Sequence, residues 1–542
     1  MIGGLRGGVA VRESPGPVLQ GIGLAVLVAV LVVWGGGRGL APGRAALAAL
    51  AAILVLGCVT DVGPARFVRG WVERHVRVIL LVAVALVFVW GFSSASLRFA
   101  SYGANIDLAH FDRVAWNSTQ GRLYEAWEGN HLASHVTAVP LLTLPVYLVV
   151  GGPLALLFVQ NLFLAVAALP LYEVARYRLP PLPSVLLAIA FLLLPTMASQ
   201  HLDDFHETSL AAVPFFLALL SFEQGRFRPF LFYLTAGSLI IEYHAIALSL
   251  FGVLALVRRR SVRWVIVPFG ISAALVFAAY FLVMPFFRAS ARFEASVWGL
   301  QYYSHLGNSL GQVLLSSARD PVGSLLANPL GLPGAPMQLL YLRDLLLPFI
   351  FVLPLSAPEV MFALPDLLKN LPTGHWAVAS IASHHTVLVS TALMAATVAA
   401  LGRLHPARPT LARGLAAAVL ALAASAPQTV ASALTPMYLL RSEPPPFGEA
   451  LALVPPDAPV VASAGVIAHL SRRPVLYSAG IPEGLQATRE HRAEYIVLDV
   501  GSPVPGEQEV LRSVMGDPAY SLRYAKGRVA LFILKNGDDA RG

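Results

Sequence analysis

The sequence predicts an all-α polytopic membrane bundle of about twelve transmembrane helices, followed by a small extracytoplasmic α/β domain. Three observations predict it. Only 13% of the 542 residues are charged while 57% are hydrophobic, about half the charge with which a soluble chain covers its cores. Arginines gather in short clusters between long apolar runs, and beyond about residue 440 the apolar runs stop and charge rises. The net charge of +8 is spread through those clusters with no basic stripe, which excludes a nucleic-acid partner and points to membrane orientation. With one cysteine, Cys58, neither an intrachain disulfide nor a cysteine metal cluster can form.

Taken in order, 18–34 reads as an uncleaved span, and 1–75 as an N-terminal transmembrane hairpin. Four arginine clusters follow: Arg66, Arg69, Arg74 and Arg77; Arg176 and Arg178; Arg226 and Arg228; and Arg258, Arg259, Arg260 and Arg263. Setting all four and the N-terminus in the cytoplasm sends 76–94 outward and leaves the loop 95–138 outside. An odd number of crossings must then return to Arg176, so the stretch around Pro140 and Pro145 should be short or re-entrant, with 153–175 crossing. The run 230–257 starts and ends at cytoplasmic arginines. It should enter and come back as two half-helices, with Glu242 and His244 at the break. The turn 199–209 and the stretch 288–340 fall outside, separated from one another by the span 262–287. Later spans are expected at 341–355, 357–371, 387–401 and 411–431. The module 76–439 thus carries outer loops 95–138, 199–209 and 288–340. The remainder, 440–542, alternates short strands and helices and ends in a hairpin at Lys526-Gly527, without a GxGxxG turn, a P-loop or an obvious triad.

Ionisable residues gather on the outer side. In NIDLAHFDRVAWNSTQG, Leu108, Phe111 and Ala115 have helical spacing, as in an amphipathic helix on the membrane surface. Asp107 and Asp112 are about 140° apart on such a helix and cannot serve one substrate atom. Asp107 shares a face with His110, and Asp112 adjoins Arg113 and solvent. The plainer role for Asp107 is the helix N-cap. In the second outer turn His201, Asp203, Asp204, His206 and Glu207 crowd together. Asp203, Asp204 and His206 would be the ligands of a divalent metal ion such as manganese, magnesium or zinc; the alternative is a solvated acidic turn capping the next helix. Glu242 and His244, in an apolar run, are either a structural pairing or functional groups. Arg288, Arg292 and His305 are the outer cations available to a phosphate.

The segments IDLAHFDRVAWNSTQG, NHLASHVTAVPLLTLPVYLVVGGPLALLFVQN, DDFHE, LPLSAPEVMFALPDLLKNL and ALALVPPDAPVVASAGVIAHLSRRPVLY resemble the prokaryotic membrane-protein family called domain of unknown function 2079. Asp107-Leu108-Ala109, Phe111-Asp112-Arg113 and Ile241-Glu242-Tyr243-His244 stand where that family has its acidic motifs, with Arg113 in place of the usual Gln. The family is in turn similar to the GT-C superfamily, which includes lipid-linked aminoarabinose and protein mannosyl transferases. Those enzymes carry an essential carboxylate in the first outer loop and a second acidic position in a later outer turn. The resemblance implies that Asp107, with Asp112 as its rival, is catalytic, that Asp203 or Asp204 fills the second position, and that His135 lies near the loop's return to the membrane. It further implies a GT-C-like bundle that inverts a hexosyl or pentosyl group, taken from a polyprenyl-phosphate sugar lipid to a cell-envelope glycan, lipid or protein acceptor. The protein would then be a multi-pass plasma-membrane enzyme embedded among membrane lipids. A transporter or lipid flippase is the competing class, with a non-catalytic relative as a third. A transporter would string ionisable residues along a midplane path, whereas here they gather at one face.

Overall fold

The computed structural model describes residues 16–35, 41–60, 63–126, 129–289, 297–326 and 337–535. It is mostly helical, with a five-stranded sheet near the C-terminus. Helices α1 (Gly16–Gly35) and α2 (Ala41–Val59) pair with each other and with the helix Pro409–Ser425. Helix α3 (Gly63–Ala100) carries the first arginine cluster and the following apolar run in one piece, about 57 Å long at 1.5 Å per residue.

Four described helical runs are long and apolar enough to cross a bilayer unaided: Arg66–Ala100, Pro153–Arg176, Val262–Arg288 and His384–Leu404. A fifth is added if Pro409–Ser425 and Pro427–Arg441, bent by 46°, count as one. The expected dozen straight crossings is not reached among the described residues. Much of the remaining apolar sequence forms shorter helices. The runs expected as spans at 341–355 and 357–371 are instead cut at Pro348, Pro354, Pro358 and Pro365 into two short helices, Met337–Leu346 and Leu364–Asn370, and the tight turns Leu347–Phe349, Pro354–Ser356 and Pro358–Ala363. Ile350 and Phe351 reverse the chain in the left-handed region, with φ of 54° and 59°. Proline removes the N–H that a continuous helix needs, so short tight turns replace it.

The run 230–257 does break. Phe227–Ser238 stops before Ile241-Glu242-Tyr243, and His244–Ser249 and Phe251–Val257 lead back. Phe230 packs on Phe251 at 5.2 Å, and Phe227 and Phe230 both meet Trp264, so both arms return to the same end. Carbonyls freed at the break do not go unpaired: Leu239 O accepts from Ala138 N and Ile240 O from Thr137 Oγ1, both in the loop that follows helix α4 (Ile106–Thr119). Broken backbone survives inside such a body when protein groups satisfy it. At the arginine-rich end, Arg178 bridges Glu223 and Glu359, and Arg258 also pairs with Glu359.

Helix α4 corrects the expectation of an exposed surface helix. It lies against α5 (Val139–Val150), α6 (Pro153–Val166) and the turn Ala464–Ile467 of the C-terminal domain, burying Leu108, Phe111 and Ala115 and also Asp112, Arg113 and Asn117. The sheet, β1 (Val460–Ala462), β2 (Leu476–Ser478), β3 (Tyr495–Asp499), β4 (Tyr520–Lys526) and β5 (Val529–Leu534), has the order β2-β1-β3-β5-β4. Strands β1, β2 and β3 run parallel, and the β4-β5 hairpin is antiparallel to β3. Its turn is Gly527, with φ +56°. Alternation divides the two faces. Val461, Ile496, Leu498, Ala530 and Phe532 pack with Ala487, Val510 and Val514 of the domain's own helices. Val460, Ala462, Val497, Val529 and Leu531 join the apolar cluster that contains Leu108, Phe111 and Phe205. One face of the sheet is therefore joined to α4 in a single apolar cluster, with Ala464–Ile467 in direct contact with the helix.

A close approach inside the bundle gives a first test. Asn161 Oδ1 and His201 Nδ1 lie 2.6 Å apart, and a Cβ on Gly91 of α3 would fall 2.4 Å from each. Gly91→Val should lower the melting temperature of the detergent-purified protein by several degrees, on the scale of about 1–3 kcal/mol for an overpacked interior; an unchanged value would mean that α3 does not approach α6 so closely.

Candidate functional site

At the end of the bundle opposite the arginine cluster, the DDFHE turn meets the start of α4. Gln160 of α6 anchors the turn: its Nε2 donates to the carbonyls of Gln200, Asp203 and Asp204, and its Oε1 accepts from His206 N. Asp204 is then spent on structure. Its Oδ1 accepts from Arg98 at 2.7 Å, and its Oδ2 from the backbone N–H groups of Asn105 and Leu108 at 2.8 and 3.2 Å. It supplies from across the fold the anion that a helix N-terminus favours. Asn105 is the N-cap residue. The N-cap role foreseen for Asp107 is thus filled by other groups, and Asp107 projects from the first turn with its side chain 50% exposed.

Around Asp107 stand His206, whose Nε2 is 3.9 Å from Asp107 Oδ2 and 3.8 Å from Asp203 Oδ2, and His384, stacked on His206 at 3.6 Å. Withdrawal from bulk water pushes the Asp107 carboxyl above the usual carboxylate range, with His206 pulling it back, which makes it a stronger base. Asp203 is raised for the same first reason. Asp203, His206 and His384 offer ligand atoms all within 4.8 Å of one another, a carboxylate and two imidazoles of the kind that suit zinc or manganese. With both oxygens of Asp204 occupied, His384 takes the place foreseen for Asp204 in this donor set.

Behind Asp107 runs a chain of imidazoles. His110 Nε2 is 3.0 Å from His131 Nδ1, and His131 Nε2 is 2.9 Å from Glu207 Oε1. Burial, with His131 beside it, drives His110 well below the ordinary imidazole range, so it serves as a neutral ring. Farther along, Glu242, 4% exposed, accepts from His135 Nδ1 at 3.2 Å, Val136 N at 3.0 Å and Tyr280 OH at 3.2 Å. Lys369 lies 4.2 Å from the Tyr243 ring, 3.5 Å from His385 Nδ1 and 3.2 Å from Asp366. Arg288 donates from Nε to Ala133 O at 2.8 Å.

Several other expected site residues stand apart. Asp112, foreseen beside solvent, is fully buried; its carboxylate accepts from Tyr147 OH at 2.8 Å and from Ser471 Oγ of the C-terminal domain. Its neighbour Arg113 donates to the carbonyls of Arg473 and Pro474. His244 is buried, with no hydrogen-bond partner for Nδ1 among the described residues. His305 is bonded to the Pro372 backbone, and Arg292 lies outside the described residues. Sequence reasoning passed over Lys369, His384, His385 and Tyr280. The one available signal was the pair His384-His385 directly before an apolar run.

Residues 94–526 match the family described as "Predicted membrane protein (DUF2079)". No curated protein matches the chain. Among solved structures, ArnT from Cupriavidus metallidurans bound to undecaprenyl phosphate covers 85% of this chain and 98% of its own, at 12% identity and a TM-score of 0.49. The Archaeoglobus fulgidus oligosaccharyltransferase tethered with an acceptor peptide covers 86% of this chain and 75% of its own, at 12% identity and a TM-score of 0.46.

Burial pushes Asp112 up to about 6, against the hydrogen bonds from Ser471 and Tyr147. A carboxyl raised on folding binds its proton more tightly in the native state, so stability is lost as pH rises through the window between about 4 and about 6. Melting curves of wild type and Asp112→Asn should diverge across that window, the wild type losing on the order of 3 kcal/mol at most relative to the amide. Parallel curves would show that Asp112 does not titrate there.

Proposed function

The chain belongs to the family described as "Predicted membrane protein (DUF2079)", and on that premise we propose that it is a membrane glycosyltransferase that moves a sugar from a polyprenyl-phosphate donor to an acceptor hydroxyl with inversion. The observation that carries the reading is a half-exposed carboxylate, Asp107, relieved of helix capping by Asp204. It stands beside a cluster of imidazoles and cations at one end of a bundle with lipid-length apolar helices. The sequence resemblance to GT-C enzymes assigns the essential carboxylate to the same residue.

The chemistry asks little more of the protein. A phosphate leaves as a stable anion without a strong acid, so the main requirement is a base for the acceptor. Asp107 takes the hydroxyl proton; the acceptor oxygen bonds to the anomeric carbon from the face opposite the phosphate; and the carbon–oxygen bond to phosphate breaks, leaving its electron pair on the phosphate. Arg288 and Lys369 supply positive charge on the far side of the cluster. In this reading Asp203, His206 and His384 would hold a divalent cation, which supplies Lewis-acid stabilisation of phosphate oxygen. The weakly buried faces of Arg66–Ala100 and Val262–Arg288 provide an apolar exterior along which a polyprenyl tail can lie.

Purified protein in lipid, given labelled polyprenyl-phosphate sugars, should release polyprenyl phosphate. Asp107→Asn should keep the fold and lose about a hundredfold or more in turnover, the scale of a missing general base, while Asp112→Asn should cost less. The reverse order would reassign the base, transfer unaffected by either substitution would place the base on another residue, and absence of any transfer by the wild type would overturn the reading in favour of a transporter.

A further inference from the structure

His135 and Glu242 form a unit that the base mechanism leaves unused. Glu242 sits where the membrane run breaks, almost wholly buried, and is met by three donors from two other elements. An ionised carboxylate only accepts, so the His135 nitrogen facing it, Nδ1, carries hydrogen. The other edge of the ring is turned away. The side chain is 42% exposed, and among the described residues Nε2 has no hydrogen-bond partner.

One helical run holds both members of the pair, Glu242 directly and the loop bearing His135 through Ala133. Tyr280 reaches Glu242 from a π-helical turn, Ala278–Val283, a wide turn of the kind that often marks functional positions. Arg288, farther along the same run, holds Ala133 O. On the other side Thr137 and Ala138 are tied to the carbonyls of the break. A ring fixed this firmly, with its buried counter-ion on one edge and an open edge on the other, is arranged to present a charge-assisted donor to an anion.

We infer that the open edge of His135 is the contact for the phosphate of the lipid-linked donor, and that Glu242 and Tyr280 are its positioning residues. The inference rests on the proposed lipid-phosphate chemistry and deepens it. No proton need move at His135: the phosphate oxygen that receives the electron pair when the bond to the sugar breaks accepts the Nε2 hydrogen bond.

The charges facing the ring support this. Withdrawal from water works against its protonation, but the charge and hydrogen bond of Glu242, together with Glu207, outweigh that and the opposing Lys369, and hold the imidazole above its ordinary range. Arg288 stands on the clamping helix, and the phenols Tyr243 and Tyr280 lie beside the pair. The nearby imidazoles are His131 at 6.0 Å and, within electrostatic reach, His110, His384 and His385.

The test uses a polyprenyl methyl phosphodiester, a donor mimic whose single negative charge does not titrate across the range, binding to the full-length protein in detergent. Wild-type affinity should fall by about tenfold as pH rises from about 6 to about 9, the loss of one charge-assisted contact. His135→Gln, at a half-exposed position that does not threaten the fold, should bind about tenfold more weakly at pH 6 and show little pH dependence. Glu242→Gln should move the loss to lower pH, a shift that a merely structural role for Glu242 would not cause. Wild-type affinity flat in pH, or His135→Gln with the wild-type profile, would overturn the inference while leaving the transferase reading intact. Failure of wild type to bind the mimic at any pH would overturn both.

Discussion

The carboxylate of Asp204 is the joint on which the site depends. It ties three pieces of chain that share no local sequence signal: Arg98 at the end of α3, the N-terminus of α4, and the turn that Gln160 anchors to α6. A helix N-terminus without such a partner leaves donor groups unpaired, and a buried carboxylate without donors is costly. Each answers the other. Because Asp204 meets this need, Asp107 is free to stand in the first turn as an uncommitted acid, and His206, two residues beyond Asp204, is brought against it.

The second constraint is backbone economy at the break near Glu242. A chain that stops being helical inside an apolar body must find partners for its carbonyls, and the loop after α4 supplies them through Thr137 and Ala138. Satisfying the break also brings His135 to Glu242. The same hydrogen bonds that make the interruption tolerable therefore draw the two halves of the polar cluster together, with the imidazole chain from His110 to Glu207 between them.

Much of this was legible in the sequence where the signal is a count along the chain. The run 230–257 begins and ends among arginines and is too short to cross twice as full helices, so its break could be read before any coordinates. The strand pattern of the last hundred residues, with its Lys526-Gly527 turn, was equally plain. What the sequence hid is tertiary. Nothing near Asp112 announces Ser471, and nothing near Asp204 announces α4. Lys369 was hidden because hydropathy reads the run 357–371 as a span, whereas it divides into a tight turn, Pro358–Ala363, and a two-turn helix, Leu364–Asn370, whose last turn presents the lysine to the cluster.

The seating of α4 against the C-terminal domain has a consequence for biosynthesis. Arg113 is held by the carbonyls of Arg473 and Pro474, and Asp112 by Ser471, residues made long after the bundle's first helices have left the ribosome. While the chain is being translated, that support does not yet exist: Arg113 lacks both of its carbonyl partners, and Asp112 has Tyr147 of α5 but not Ser471. The site is thus completed only after residues 471–474 are made, and a nascent chain carries Asp107, Asp112, Asp203 and Asp204 before it carries the support that fixes the helix bearing the first two.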